Sequence, residues 1–318
     1  MTTAYGPLLD ALRGVRWPAR RAVGAALPGA HRSRQRGTSG EFTEYRLYRQ
    51  GDDPKQLDWK LLGRSDRAFV RLTDDRALVP TWLVLDGSLS MAFPDERSAL
   101  PGAPPNKWRT ARALAVGLGA VANAGSDPVG VLAVSDEGTT QIAARTRRGT
   151  IAEIARSLDA LHCGGSGWLA PLLTMTPMTA RIVVISDMLG DLDALIRTAA
   201  QRSAAGAIVE CVHVVAAEEL SLPSAAYLAR DPERPEVERV LEPRALAVYR
   251  DRFATFRADT ARRWRAAGAG YTEVRTDALL PRVVRQIVSG QGRTDSHRTE
   301  SDRAEQHRTE LHRRDGGS

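Results

Sequence analysis

The chain has 318 residues, 42% of them apolar, enough to fill the core of one large α/β domain with extensions or of two small domains, and far from a disordered composition. Its formal charge of +7 invites a nucleic-acid reading, but residues 1–40 hold seven Arg against the single acid Asp10 and the remainder is nearly neutral, which excludes that reading for the body of the chain. Two cysteines, Cys163 and Cys211, exclude a disulfide framework, and apolar runs such as Ile182–Ile185 are far too short to span a bilayer; with no signal-peptide pattern at the N-terminus, a cytoplasmic protein is expected.

Residues 1–38 read as a basic N-terminal arm. Leu8, Leu9, Leu12 and Val15 recur at helical spacing before Pro18, with Arg13, Arg16, Arg20 and Arg21 interleaved, which predicts a short amphipathic helix docked on the main domain. Contact of the arm with nucleic acid or with an anionic membrane surface is the alternative. Residues 39–80 form a polar, charge-dense segment packed on the main domain, loop-rich, with isolated aromatics at Phe42, Tyr45, Tyr48 and Trp59. Gly51-Asp52-Asp53-Pro54 is a strong turn signal and Trp59 an expected anchor, so Arg46, Asp52, Asp53 and Asp58 read as paired charges and turn caps. Placing those four residues on a partner-binding face is the competing reading.

From residue 81 to 290, short apolar runs alternate with helical patterns. Strands are expected at Trp82–Asp86, Val129–Ser135, Thr140–Ala144, Arg181–Asp187, Ile208–Val215 and Tyr271–Thr276. Helices are expected near Lys107–Asn123, Ile151–Leu161, Leu192–Ala204, Arg244–Ala266 and Leu279–Val288, with a polar insertion, hairpin-like, at Ala225–Glu242. The alternation predicts an α/β, Rossmann-like domain whose mostly parallel sheet carries helices on both faces. Beyond Gly290 the composition changes to six Arg, six acids and almost nothing apolar, so residues 291–318 read as a disordered polar tail in which His297, His307 and His312 are solvated.

Two strand ends draw chemical interest. The run Trp82-Leu83-Val84-Leu85 ends in Asp86, followed at alternate positions by Ser88 and Ser90, and Ile182–Ile185 ends in Ser186-Asp187. Ligands of parallel α/β sheets bind at the carboxyl ends of strands, where these side chains would emerge. Two carboxylates with small hydroxyls make an all-oxygen set suited to Mg²⁺ or Mn²⁺ and not to zinc. Ser166, in the loop Cys163-Gly164-Gly165-Ser166-Gly167, offers a further hydroxyl.

Asp86-Gly87-Ser88-Leu89-Ser90-Met91, the later Gly-Gly-Ser loop and Ser186-Asp187 together resemble the metal-ion-dependent adhesion site of von Willebrand factor A domains. Gly40-Glu41-Phe42, Arg46-Leu47-Tyr48, Gly51-Asp52-Asp53 and Leu57-Asp58-Trp59 resemble the segment that precedes that site in the bacterial family called domain of unknown function 58, and the two matches cover about residues 29–290 in the right order. The resemblance implies that Ser88, Ser90 and Ser166 bind the metal directly, that Asp86 and Asp187 act mainly through bound water, and that one position stays open for a carboxylate of a partner. Neutral hydroxyls leave such an ion electron-poor, so an incoming acidic side chain gains a strong charge-assisted bond. It also implies a partner class, the MoxR-type AAA+ ATPases, with an adaptor role in assembly or maturation of other complexes. Relatives usually have Thr where Ser166 stands, the connection 92–106 is longer than their pattern and placed to shade the ion, and the two N-terminal transmembrane helices of many relatives have no equivalent here.

Catalytic motifs fail on inspection, and no enzyme is expected. Gly117-Leu118-Gly119 fits a loose dinucleotide pattern but lies inside a predicted helix, where packing explains it. Gly164-Gly165-Ser166 lacks the glycine two residues after Ser that a nucleophile elbow needs, no phosphate loop occurs, and Ser88 stands where a dehalogenase-like phosphatase needs its second Asp. His31, His162 and His213 read as structural. A divalent-metal hydrolase using Asp86 and Asp187 is the remaining alternative of that class.

Overall fold

The computed structural model describes residues 3–18, 42–48, 57–65, 67–73, 78–95, 104–165, 167–221, 227–230, 238–241 and 243–290. The chain divides into two compact units, one of Met1–Ala25 with Val79–Ser318 and one of Ala26–Leu78. The larger unit begins with a short helix, α1 (Gly6–Ala11), which has Pro in its first turn where a missing N–H costs nothing. Leu8, Leu12 and Trp17 bury their side chains in the core, so the expected docked helix forms.

In the smaller unit, β1 (Phe42–Leu47) pairs antiparallel with β2 (Phe69–Thr73), and α2 (Trp59–Ser65) lies between them in sequence. The segment expected as loop-rich thus holds regular structure. Its charge density hides the alternation of Tyr45 and Leu47 with Glu44 and Arg46, a period-two signal that a count of charges does not register. Asp58 caps α2, its Oδ1 accepting from Lys60 N and Leu61 N at 3.0 Å each. Trp59, expected as an anchor, is 67% exposed. Arg46 lies in β1, whereas Asp52 and Asp53 fall outside the described residues.

The sheet of the larger unit comprises β3 (Thr81–Asp86), β4 (Val129–Ser135), β5 (Gly138–Arg145), β6 (Arg181–Ser186), β7 (Ile208–Val215) and, after a hairpin of β8 (Tyr227–Arg230) and β9 (Glu238–Leu241), β10 (Gly270–Arg275). Their order is β10-β7-β6-β3-β4-β5, parallel throughout except for the antiparallel pair β4–β5. Burial follows from position. Every residue of β3, β6 and β7 is buried, as a strand covered on both faces requires, while the edge strand β5 alternates between exposed and half-buried.

One face of the sheet, with Leu83, Leu85, Val131 and Ile185, packs against α1, α3 (Lys107–Ala124), α4 (Thr150–Ala160) and α9 (Leu280–Ser289). The other, with Trp82, Val84, Ile182 and Val184, packs against α5 (Ala170–Thr174), α6 (Leu192–Ala204) and α8 (Pro243–Ala266). A four-residue helix, α7 (Ala217–Leu220), follows β7. The expected α/β architecture with helices on both faces is therefore present. Inside α3, a Cβ on Gly117 would meet Leu12, Leu8 and Val284 at 3.2–3.3 Å, so the glycine serves the close approach of α1 and α9 and not a dinucleotide.

At the amino ends of the strands Arg181 is buried with Asp127. Its Nη1 donates to Asp127 Oδ2 at 3.1 Å and to Thr81 Oγ1 at 3.0 Å, its Nη2 donates to Pro18 O at 3.1 Å, and its guanidinium lies 4.2 Å from the Trp17 ring centroid. The chain leaving α1 is tied to the sheet by this cluster.

Candidate metal centre

The sheet order reverses between β3 and β6: the chain runs outward from β3 to β5 on one side, then returns to lay β6, β7 and β10 on the other. In such sheets the two strands at the reversal diverge into loops on opposite faces, leaving a crevice at their carboxyl ends. Asp86 closes β3, and Ser186 with Asp187 closes β6, so the two sequence-expected carboxylates meet at this crevice.

Asp86 is 1% exposed. Its Oδ1 accepts from Ser88 N at 2.9 Å and its Oδ2 from the Ser186 hydroxyl at 2.6 Å, while that hydroxyl itself accepts from Met188 N at 2.9 Å. Ser88 and Ser90 are buried, with their hydroxyl oxygens 3.1 Å apart. A 3-10 turn, Leu89–Ala92, brings Ser90 back beside Ser88. Gly87 has no space for a side chain, since a Cβ there would lie 2.3 Å from Val134 O. Gly167 is similarly constrained: a Cβ would stand 2.9 Å from Asp86 Oδ1 and 3.0 Å from Oδ2. The loop bearing Gly167 is moored by Gly164 N, which donates to Gly87 O at 2.8 Å. Its neighbour Ser166, the third expected hydroxyl, lies outside the described residues.

Asp187 is 3% exposed and has a different set of partners. Its Oδ1 accepts from Leu189 N at 3.2 Å, and its Oδ2 accepts from Lys107 Nζ at 2.7 Å. Lys107, the first residue of α3, also donates to Glu219 Oε1 at 2.9 Å, and Glu219 Oε2 accepts from Ala216 N at 2.8 Å. Buried His213, on which Asp187 acts electrostatically, shares through Nδ1 a 2.7 Å hydrogen bond with the Tyr271 hydroxyl.

Electrostatics single out Asp86. Burial raises its carboxyl above the usual range, and repulsion from Asp187 raises it further, against the hydrogen bonds from Ser186 and Ser88. Burial opposes the charge of Lys107, but Asp187 and Glu219 outweigh it and hold the ammonium above its ordinary value. Asp187 and Glu219 thus share one ammonium, and the buried Asp86 stands beside Asp187 outside that pairing, so carboxylates outnumber the Lys107 ammonium by three to one. A hard divalent cation answers both that charge and the oxygen donors Asp86, Ser88, Ser90 and Asp187, so the residues fit Mg²⁺ or Mn²⁺. Glu219 is turned to Lys107, and among the described residues no group of three or more His, Cys, Asp and Glu is disposed to hold a metal, so the serine hydroxyls are essential to this set.

Of the expected residues, Asp86, Ser88 and Ser90 are joined by hydrogen bonds, and Asp187 acts electrostatically on Asp86 from the neighbouring strand end. Ser186 belongs to the expected strand end, but nothing local marks its hydroxyl as the donor to Asp86, and Lys107 and Glu219 lie outside every motif. One signal for Lys107 stood in the composition: among 45 basic residues only Lys55, Lys60 and Lys107 are lysine. Burial pushes the Cys163 thiol up to about 12, which disfavours the thiolate.

Residues 44–263 match the family model described as Protein of unknown function DUF58, well over half of the chain. The chain belongs to this family. Uncharacterized proteins of Mycobacterium bovis and Mycobacterium tuberculosis are 29% identical to it over 295 residues, covering 89% of each chain. Among solved structures, the conserved hypothetical protein BatB from Bacteroides thetaiotaomicron aligns with TM-score 0.42 and 16% identity over 66% of this chain and 97% of that one. The SpRpn10 VWA domain aligns with TM-score 0.38 and 11% identity over 65% and 93%. The strand order, with its single antiparallel edge pair and helices on both faces, gives this DUF58 chain an α/β sheet domain.

Proposed function

We propose that this DUF58 protein is a cytoplasmic, divalent-metal-dependent adaptor that captures an acidic side chain of another protein. The observation that carries the proposal is the buried excess of carboxylate at the reversal of the sheet, beside two serine hydroxyls 3.1 Å apart. Asp86, Ser88, Ser90 and Asp187 would hold Mg²⁺ or Mn²⁺, and the ion would supply an electropositive point for a partner carboxylate. The chain's own residues do the positioning. Ser186 and the Ser88 N–H fix both oxygens of Asp86, and Gly167 lets its loop lie directly against that carboxylate. Trp168 and Leu189, 63% and 53% exposed, follow directly on Gly167 and stand two residues beyond Asp187, so each is placed to give a partner apolar contact around its acidic residue.

The partner proposed is a MoxR-type AAA+ ATPase, the class that the sequence resemblance implies, with a client protein as a further source of the acidic residue. Recovery of that ATPase on the immobilised protein is expected in Mg²⁺ and lost with chelator or in Asp86→Ala. Equal recovery in all three would overturn the reading. Phosphoester turnover by the wild type, abolished in Asp187→Ala, would replace it with a hydrolase.

A further inference from the structure

Lys107 is anomalous at every level. Its side chain is 1% exposed, although lysine is among the residues least often buried. It stands at the first position of α3, where the helix dipole disfavours a cation. In a chain that uses arginine almost everywhere else, this buried base is a lysine, a compact point charge with three donors and not a planar fork. Its backbone is pinned by Lys107 N donating to Phe93 O at 3.0 Å, with Asn106 capping the helix, and the Phe93 ring centroid lies 5.8 Å from Nζ. The ammonium therefore has a fixed address, 2.7 Å from Asp187 and 2.9 Å from Glu219. Local rules broken together at one residue mark a position kept for something other than helix stability.

We infer that Lys107 is a tethered internal cation that shares Asp187 with the divalent ion and thereby holds the site at reduced metal affinity. The inference rests on the metal reading above and specifies how that site is regulated. Without a metal, the ammonium compensates Asp187 and keeps the strand end ordered. With one, an ion drawing on Asp187 meets a carboxylate whose charge is already partly spent and a positive neighbour that repels it. The same sharing leaves the ion short of negative charge, which favours an incoming carboxylate. Glu219 controls the balance: it draws the ammonium away from Asp187, and its own carboxylate is held in place by Ala216 N.

Titration calorimetry of the full chain with Mn²⁺ tests this. Lys107→Met is expected to bind Mn²⁺ at least about tenfold more tightly than wild type. Glu219→Gln, which leaves the ammonium to Asp187 alone, is expected to bind more weakly. If Lys107→Met fails to fold, Lys107→Met/Glu219→Gln removes one charge of each sign and is expected to bind more tightly than Glu219→Gln alone. Unchanged or weakened binding on loss of Lys107, in the single variant or relative to Glu219→Gln in the double, overturns the inference while leaving a metal site in place. Absence of Mn²⁺ binding in wild type and all variants overturns the metal reading itself, and the inference with it.

Discussion

At the scale of single residues, the centre is held by small groups whose replacement has sharp consequences. Gly167 is the clearest case. A methyl group there would press on both oxygens of Asp86, which are already committed to Ser88 N and the Ser186 hydroxyl. Gly167→Ala is expected to weaken Mn²⁺ binding by about tenfold or more, as disturbed supporting contacts of metal ligands do, with an unchanged far-ultraviolet dichroism spectrum. Retained affinity would show that Asp86 tolerates movement. Asp86 and Asp187 were legible in the sequence because Asp86 directly ends an apolar run and Asp187 follows one after a single serine, and a strand's end is a place where periodicity stops. Lys107 and Glu219 were not, since they meet across 112 residues and neither lies in a motif. A partner that far away is fixed by the topology and by no local pattern.

At the scale of elements, the N-terminal helix and the strand starts are coupled through Arg181. Asp127, fully buried, supplies an anion 3.1 Å from the guanidinium of Arg181, itself 1% exposed, and its removal takes that countercharge from the buried cluster. Asp127→Ala is expected to cost about 3–5 kcal/mol in denaturant unfolding, the range for breaking one side of a buried pair. Leu12→Ala, which opens space between α1, α3 and α9, is expected to cost about 2–3 kcal/mol by the same measurement. A loss below about 0.5 kcal/mol in either variant would mean that α1 contributes little to the fold. The strands and long helices were readable from apolar spacing, including the docked α1. The pair β1–β2 escaped because its alternation is carried by tyrosine, leucine and threonine among charges, and α7 because four residues hold less than two turns of pattern.

At the scale of the whole molecule, His213 gives the fold a pH dependence. Burial depresses its imidazole to about 4 from an ordinary 6.5, so the native protein keeps it neutral while the unfolded chain takes up a proton. Between pH 6.5 and about 4 the unfolded state therefore binds more protons, and stability falls as the pH drops through that window. The loss from this one group is on the order of 3 kcal/mol, and it is complete once the pH passes below the native value. Unfolding free energies measured at pH 7 and pH 4.5 should differ less in His213→Leu than in wild type. An equal difference would assign the acid sensitivity to other groups.

The reversal of the sheet has a temporal meaning as well as a spatial one. Asp86 and Ser186 are 100 residues apart and touch only when β6 has been laid against β3, with α3, α4 and the β4–β5 pair already threaded between them. A nascent chain emerging from the ribosome carries Asp86 long before it carries Asp187, and during that interval the first carboxylate has no counterpart. Whatever grips the two strand ends together therefore distinguishes a chain in which β6 has been laid against β3 from one in which it has not.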